Sequence, residues 1–326
     1  MNVAPQVSIR TPDVPKHESF TDPKLAVARL QEIYATAVNF LSENFVKALL
    51  DGQPETRLRA FYPEIRLTTT TYAKTDSRLS FGHVAEPGMY ATTVTRPDLF
   101  ASYLEQQIGL LLDSHGVPVV IGASTTEMPV HFAAANDPNL TVPHDGSMEF
   151  NLRDNFDVPD LSTTHDSIVN GKGFTYADGA RPLAPFTAQR VDYSLARLAH
   201  YTATAAEHFQ NHVLFTNYQF YVEEFEGYAR QMLADPDSGY TSFVSTGNIE
   251  ITDPDTQIAV PAKLPQMPTY HLKRKNGGGI TLVNIGVGPS NAKTATDHIA
   301  VLRPHAWLMV GHCAGLRNSQ RLGDFV

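Results

Sequence analysis

Three short polar segments, each following an apolar run, hold the side chains in this sequence best suited to chemistry. Asn217 follows Val213-Leu214-Phe215. Gly286, Val287, Gly288 and Ser290 follow the run Ile280 to Ile285. Gly311, His312 and Cys313 follow Ala306 to Val310, with Arg317 and Arg321 close behind. Glycines let backbone amides come close to a ligand, and a helix N-terminus adds donors and partial positive charge. The loop 286–291 therefore suits a phosphate, ribose hydroxyls or another anion; read more simply, Gly286 and Gly288 only make a sharp turn. His312 places an imidazole, able to donate or accept a proton, at a strand end; its other reading is a structural hydrogen bond to a neighbouring loop. Cys313, Trp307 and Met309 read as packing residues, since no triad-like base accompanies the thiol.

The elements that must position these groups are legible in 279–326. An apolar strand meets a glycine pair and a Pro289-Ser290-Asn291 turn, then a helix-period segment from Ala292 to Leu302, then a second apolar strand. Parallel strands need such a crossover, and open α/β sheets bind ligands at the strands' carboxyl ends, so loops 286–291 and 311–317 are expected side by side. Two nucleotide motifs fail here. A dinucleotide fingerprint would need glycine where Asn291 stands, and a P-loop would need glycine at Ala292 and Val287. Lys293-Thr294 reads as the exposed face of an ordinary helix.

Upstream, residues 1–20 read as a mobile tail. Thr21-Asp22-Pro23 opens a long helix carrying Leu25, Leu30, Ile33, Val38, Leu41, Phe45 and Leu49. Strands are expected over 62–72, 89–94 and 117–121, with a helix opening at Arg96-Pro97-Asp98 and stopped at His115-Gly116. Gly122–Thr126 reads as a turn that could bind an anion. The sum is an α+β domain over 21–150, followed by a solvated interdomain segment, 151–182, whose Asp154, Asp157 and Asp160 lack calcium-loop spacing. Thr187 can cap a helix through Leu198. His208 and His212 could share a helix face, with surface or capping roles preferred over metal binding. A helix over 219–234 should turn Phe220, Phe225, Tyr228 and Met232 inward; strands are expected over 241–246 and 269–273, and Asn276-Gly277-Gly278 makes a hairpin turn.

Composition sets outer bounds. A chain of 326 residues predicts two domains. Its net charge of −9 argues against nonspecific binding to nucleic acid or anionic membrane. A single cysteine fits a reducing compartment, and the start lacks a signal-peptide core, so cytoplasm is the default. No apolar run approaches the ~18 residues of a membrane helix.

The strings NIGVGPSNAKT (284–294) and WLMVGHCAGLR (307–317) resemble those of the AMP nucleosidases, hydrolases of the nucleoside phosphorylase superfamily. So do residues 190–198, His200-Tyr201-Thr202, Phe209-Gln210 and Phe215-Thr216-Asn217-Tyr218. The likeness covers most of the chain after about Pro182 and more weakly the part before. It implies an α+β N-terminal domain of regulatory type, then an incomplete α/β nucleoside phosphorylase-like domain over 183–326. It implies hydrolysis of the N-glycosidic bond of AMP to adenine and ribose 5-phosphate, in purine nucleotide metabolism. Asn217, Gly286, Val287, Gly288, Ser290 and His312 would surround ribose and phosphate, with Arg317 on the 5′-phosphate. The phosphorylases carry arginines where this chain has Met309 and the segment Asn217 to Phe220, so water is the expected attacker; the glycine loop is also one residue shorter than theirs. The family implies no cofactor for the chemistry, MgATP as allosteric activator, phosphate as inhibitor and a homohexamer. Its purine-protonating acid is expected well beyond Val326, and Gly323 to Val326 reads as an apolar strand cut short. The alternative is a nonenzymatic nucleotide-binding or assembly fragment; the failed fingerprint disfavours a nicotinamide-dependent oxidoreductase.

Overall fold

The computed structural model describes residues 8–73, 82–134, 151–161, 166–170, 172–258 and 263–325. Its contacts divide the chain into two compact units, Met1–Tyr193 and Ser194–Val326. Residues 1–7, 135–150 and Val326 of the expected tail, first domain and final strand lie outside the described residues.

In the first unit, strands β1 (Ile9–Arg10) and β2 (Glu18–Phe20) precede helix α1 (Pro23–Asp51). Strands β3 (Arg57–Leu58), β4 (Phe61–Thr69) and β5 (Gly88–Thr93) follow, then α2 (Ala101–His115), β6 (Val119–Glu127), α3 (Val130–Ala134), α4 (Leu152–Asn155) and β7 (Arg181–Pro182). The main sheet runs β2-β6-β4-β5-β7 and is antiparallel apart from the last pair; β1 and β3 form a small parallel ribbon. This is the α+β arrangement the sequence implies.

Helix α1 starts where it does because the Asp22 carboxylate accepts from the backbone N–H groups of Lys24 and Leu25, with Pro23 in the first turn. Its buried stripe, Leu30, Ile33, Tyr34, Ala37, Leu41 and Phe45, recurs at three- and four-residue steps. Leu25 and Leu49, expected on that stripe, are exposed, because they lie beside it: their neighbours Ala26 and Ala48 face the core instead. Phe45 meets Phe156 edge to face at 5.9 Å, a contact worth about 1 kcal/mol beyond the buried area.

Three expectations for this unit are corrected. Within the supposed tail, Ile9–Arg10 pairs with Arg57–Leu58 and Glu18–Phe20 pairs with β6, so backbone hydrogen bonding ties this stretch down. Gly122–Thr126 lies within β6 rather than in a turn: Gly122 and Ala123 pair with Glu64 and Pro63 of β4, and the Thr126 amide donates to Ser124 Oγ at 3.1 Å. A Cβ at Gly122 would lie 2.3 Å from the His17 ring, which explains the glycine. Finally, 151–161 is not solvated throughout: Asn155 and Phe156 are buried, Phe156 in the core, and Asp157 bridges Arg57 and Arg59, whereas Asn151, Arg153, Asp154, Asp160 and Leu161 are exposed. Burial alone would raise the Asp157 carboxyl; the Arg59 and Arg57 guanidiniums outweigh it and hold the group below the usual carboxylate range.

Helix α5 (Ala188–Thr202) begins in the first unit. There Asp192 lies in a buried polar knot: Tyr62 Oη donates to Oδ2 at 2.5 Å, and Thr95 Oγ1 donates to Oδ1 at 2.7 Å. Burial pushes this carboxyl up to about 6, against the pull of the two hydroxyls and of Arg96. Burial and the facing carboxylate likewise drive Tyr62 well above its ordinary value.

In the second unit α5 leads to β8 (His212–Thr216), α6 (Gln219–Ala234), β9 (Tyr240–Ser245), β10 (Ile249–Ile251), β11 (Thr269–Arg274), β12 (Ile280–Asn284), α7 (Pro289–Ile299) and β13 (Ala306–Met309). One mixed sheet results, in the order β10-β9-β11-β12-β8-β13, with β12 and β13 both parallel to β8. Alternation along β12 serves both faces: Val283 packs with Leu198, Ala295 and Ile299, whereas Leu282 packs with Val222, Phe225 and Ala229. Helices thus cover both faces, the α/β pattern expected. Asn276 and Gly277 adopt left-handed φ angles of 57° and 69° in the turn between β11 and β12.

Several side chains lie elsewhere than expected. Phe220 and Tyr228 on α6 are exposed, since only Val222, Phe225 and Ala229 face the sheet fully. Trp307, Met309 and Cys313 are exposed rather than core, because β13 pairs along one side only and no described element covers its faces. Residues 322–325 form a turn and an irregular end rather than a strand. No described helix is long and apolar enough to cross a membrane.

Candidate functional site

Parallel pairing brings the carboxyl ends of β12, β8 and β13 to one edge of the second sheet. The two glycine-bearing loops are not on adjacent strands, as the sequence suggested; β8 lies between them. That places Asn217 at the centre. The Ile285 amide donates to Thr216 O at 2.8 Å on one side, and the Val310 amide donates to Phe215 O at 2.7 Å on the other. Both loops are therefore rooted against the last residues of β8.

The first loop is shaped by its own backbone. Asn284 Oδ1 accepts from the Gly286 amide at 3.1 Å, and Asn291 Nδ2 returns a bond to Ile285 O at 3.0 Å. Gly286 and Gly288 take φ of 63° and 115°, conformations that side chains strongly disfavour. Gly288 turns the chain so that Pro289 starts α7 three residues before the expected first residue, Ala292. Ser290 is exposed in the first helical turn, and Val287 is 83% exposed at the loop's tip. The loop's backbone donors and the α7 N-terminus share this end of the sheet.

The second loop closes on β8. A Cβ added at Gly311 would lie 3.4 Å from Asn217 Oδ1 and 3.6 Å from the Tyr218 ring, ordinary contact distances that show how closely the two strand ends lie. His312 meets Tyr218 edge to face at 5.3 Å and Tyr221 at 6.1 Å, while the two tyrosines lie 6.0 Å apart. Asn217 Oδ1 is buried and has no hydrogen-bond partner among the described residues. A buried carbonyl oxygen left unpaired costs about 1–3 kcal/mol, which a ligand hydroxyl or amine could relieve.

Asn217 and His312 are thus brought to one cluster, and Gly286, Val287, Gly288 and Ser290 form the neighbouring loop on the same edge. Arg317 is apart from the cluster: its amide donates to Gln320 Oε1 in an exposed local turn, with no contact to Asn217 or His312 among the described residues. Sequence reasoning missed Tyr218 and Tyr221 as walls of the site. Their signal was the aromatic residues directly after a strand end; Tyr218 reads only as part of that polar end, and Tyr221 is not singled out.

The histidine pair considered for a metal falls elsewhere. His208 lies in a short 3-10 turn and His212 opens β8, so they share no helix face. His208 neighbours the fully buried His271 instead, at 5.9 Å between rings. Burial, followed by the charges of His208 and Lys273, holds His271 well below its ordinary value and hence neutral. Among the described residues no three His, Cys, Asp or Glu side chains cluster as metal ligands would.

Comparison with known proteins returns consistent likenesses. Residues 25–180 match the family described as bacterial AMP nucleoside phosphorylase N-terminus. The AMP nucleosidases of Escherichia coli K12 and of Escherichia coli O157:H7 are each 42% identical over 318 residues, covering 93% of this chain and 64% of theirs. The chain therefore spans under two thirds of the length of the relatives it matches. A crystal structure of AMP nucleosidase from Bacteroides thetaiotaomicron VPI-5482 aligns at 24% identity over 41% of this chain and 45% of its own, with a TM-score of 0.29, too slight to bear on the fold.

Proposed function

We propose, for a chain related to the AMP nucleosidases along 93% of its length, that its second unit supplies nucleotide-binding groups for hydrolysis of AMP to adenine and ribose 5-phosphate. In this reaction the bond from C1′ to the purine nitrogen breaks with its electron pair leaving on the base. Water attacks C1′ and loses a proton, and the base takes one up. Positive charge develops on the ribose, so groups that hold and orient the sugar lower the barrier only if they fit that charged state best.

The observation that carries this reading is the unpartnered Asn217 Oδ1, buried where the loops after β8 and β13 meet. An acceptor so placed can bind a ribose hydroxyl and lie close to the developing charge. The backbone amides of Gly286 to Ser290 would take ribose or phosphate oxygens, and His312 would hold the sugar. The three loops carry no cation before Arg317, and the positions where the phosphorylases place arginines hold Met309 and the segment Asn217 to Phe220. That favours water over inorganic phosphate as the attacker. We extend the same reading to MgATP as an activator, phosphate as an inhibitor and a homohexameric assembly, from the family resemblance, and to the cytoplasm, from the single cysteine and the polar start; light scattering with and without ATP checks the assembly.

A second reading draws support from the same loops. None of the segments 216–221, 284–291 and 310–317 contains a carboxylate to protonate the purine. On that reading the chain binds the nucleotide without turning it over. Incubation with AMP, followed by chromatography for free adenine with and without phosphate, separates the two. Adenine and ribose 5-phosphate released in phosphate-free buffer support hydrolysis. Ribose 1,5-bisphosphate formed only with phosphate overturns it, saturable AMP binding without adenine supports the second reading, and absence of AMP binding ends both.

A further inference from the structure

We propose that a cavity of about 570 Å³ in the first unit, between β7 and the described residues 166–170 and 172–175, binds a small anion carrying a flat apolar body. Lys172 and Arg181 would hold the anionic group, and Tyr90 and Phe174 would face the apolar part. Nothing in the nucleotide reading above uses this place.

One wall is set by the sheet. β7 pairs with β5 at Tyr90 and Ala91, and the Leu183 amide donates to Ala91 O at 2.8 Å, which fixes Pro182 and Leu183 beside Tyr90. The opposite wall is a pair of backbone turns, Asn170 N to Asp166 O and Lys172 N to Ser167 O, both 2.9 Å. Phe174 is steadied there by an edge contact to Tyr176 at 5.1 Å. The volume lies within the ~300–1,000 Å³ usual for small-ligand sites, and so does the make-up: mostly apolar lining with a few convergent polar groups.

The charge pattern specifies the ligand. The lining includes Lys172 and Arg181 and no acidic residue, in a chain whose net charge is −9. Lys172 makes no ion pair among the described residues. Arg181 Nη1 donates to Glu86 Oε2 at 2.7 Å and to Tyr90 Oη at 3.3 Å, which leaves Nη2 and Nε free to donate to an oxyanion. The guanidinium carbon also lies 5.9 Å from the Tyr90 ring centre, so the arginine is braced before any ligand arrives. The Arg181–Glu86 pair is exposed on both sides, and such pairs yield readily to a better partner.

Titration calorimetry of the full chain with phenyl phosphate tests this, alongside inorganic phosphate and phenol as the separate halves. Saturable binding of phenyl phosphate is expected, about tenfold or more tighter than either half. Arg181→Gln and Lys172→Gln, both at exposed positions, should each weaken it about tenfold, Phe174→Ala should weaken it for phenyl phosphate more than for inorganic phosphate, and His312→Ala should leave it unchanged. No saturable binding, equal affinity in the wild type and both charge variants, or loss in His312→Ala instead would overturn the assignment. Unchanged circular dichroism of each variant shows that the effect is local.

Discussion

The polar knot around Asp192 and the carboxyl edge around Asn217 place polar groups out of water in opposite ways. In the first, both carboxylate oxygens are met by hydroxyls from separate elements, Tyr62 on β4 and Thr95 beyond β5, and all three residues are buried. In the second, Asn217 Oδ1 is left unpaired beside glycines, with exposed loop residues around it. A satisfied buried network specifies one packing of its unit; an unsatisfied group at an open edge keeps a place for something else. The difference marks the first as architecture and leaves the second open to the recognition proposed above.

The strongest way to break that contrast is Asp192→Ala, which would leave the Tyr62 and Thr95 hydroxyls buried without an acceptor. A stability loss of about 4 kcal/mol is expected in urea unfolding of the first unit; a loss below about 1 kcal/mol would show that the knot is not structural. A pH series sharpens the same point. The native Asp192 carboxyl keeps its proton up to about pH 6, whereas the unfolded chain releases it near 3.8. The native state therefore binds more protons in this window, and the stabilisation from Asp192, complete below the unfolded value, is lost as pH rises towards 6. The drop should be about 3 kcal/mol at most and absent in Asp192→Asn, as measured by denaturant midpoints between pH 4 and 7.

At the open edge the effects should be smaller and of another kind. Gly288→Ala forces a side chain onto φ of 115° and should cost about 2 kcal/mol, while weakening AMP binding through the distorted loop. Unchanged thermal unfolding of this variant would count against the described turn. His312→Ala should weaken AMP binding about tenfold, or about 1.4 kcal/mol, with stability altered by less than about 0.5 kcal/mol. If it unfolds the second unit instead, the ring cluster with Tyr218 and Tyr221 is packing, and the two regions are not opposites after all.

How much of this was legible beforehand differs by region. The extent of helix α6, Gln219–Ala234, was readable, with Asp235-Pro236 marking its end, but its period was not, since Phe220 and Tyr228 are exposed. Strand ends were readable too, which is why Asn217, the glycine loop and His312 could be singled out together. Arg317 could not be placed: proximity in sequence to His312 carries no information about where an exposed turn directs a guanidinium. Gly122–Thr126 was misread because its small polar residues look like a turn, whereas the stretch continues β6, with Gly122 and Ala123 paired to β4. The residues 151–161 likewise look solvated by composition, and only the packing of Phe156 and the Arg57–Asp157–Arg59 bridge reverses that at their centre.

By itself the sequence determined the elements and the chemistry of their ends, since hydrophobic period, caps and glycines act over a few residues. The tertiary structure alone decided that β8 lies between β12 and β13, so that Asn217 sits between the two loops. It also decided that Asp192 finds its partners on β4 and beyond β5, about a hundred or more residues away along the chain. Strand order and long-range pairing depend on which whole faces bury best against one another, a quantity summed over the sheet and not encoded in any local stretch.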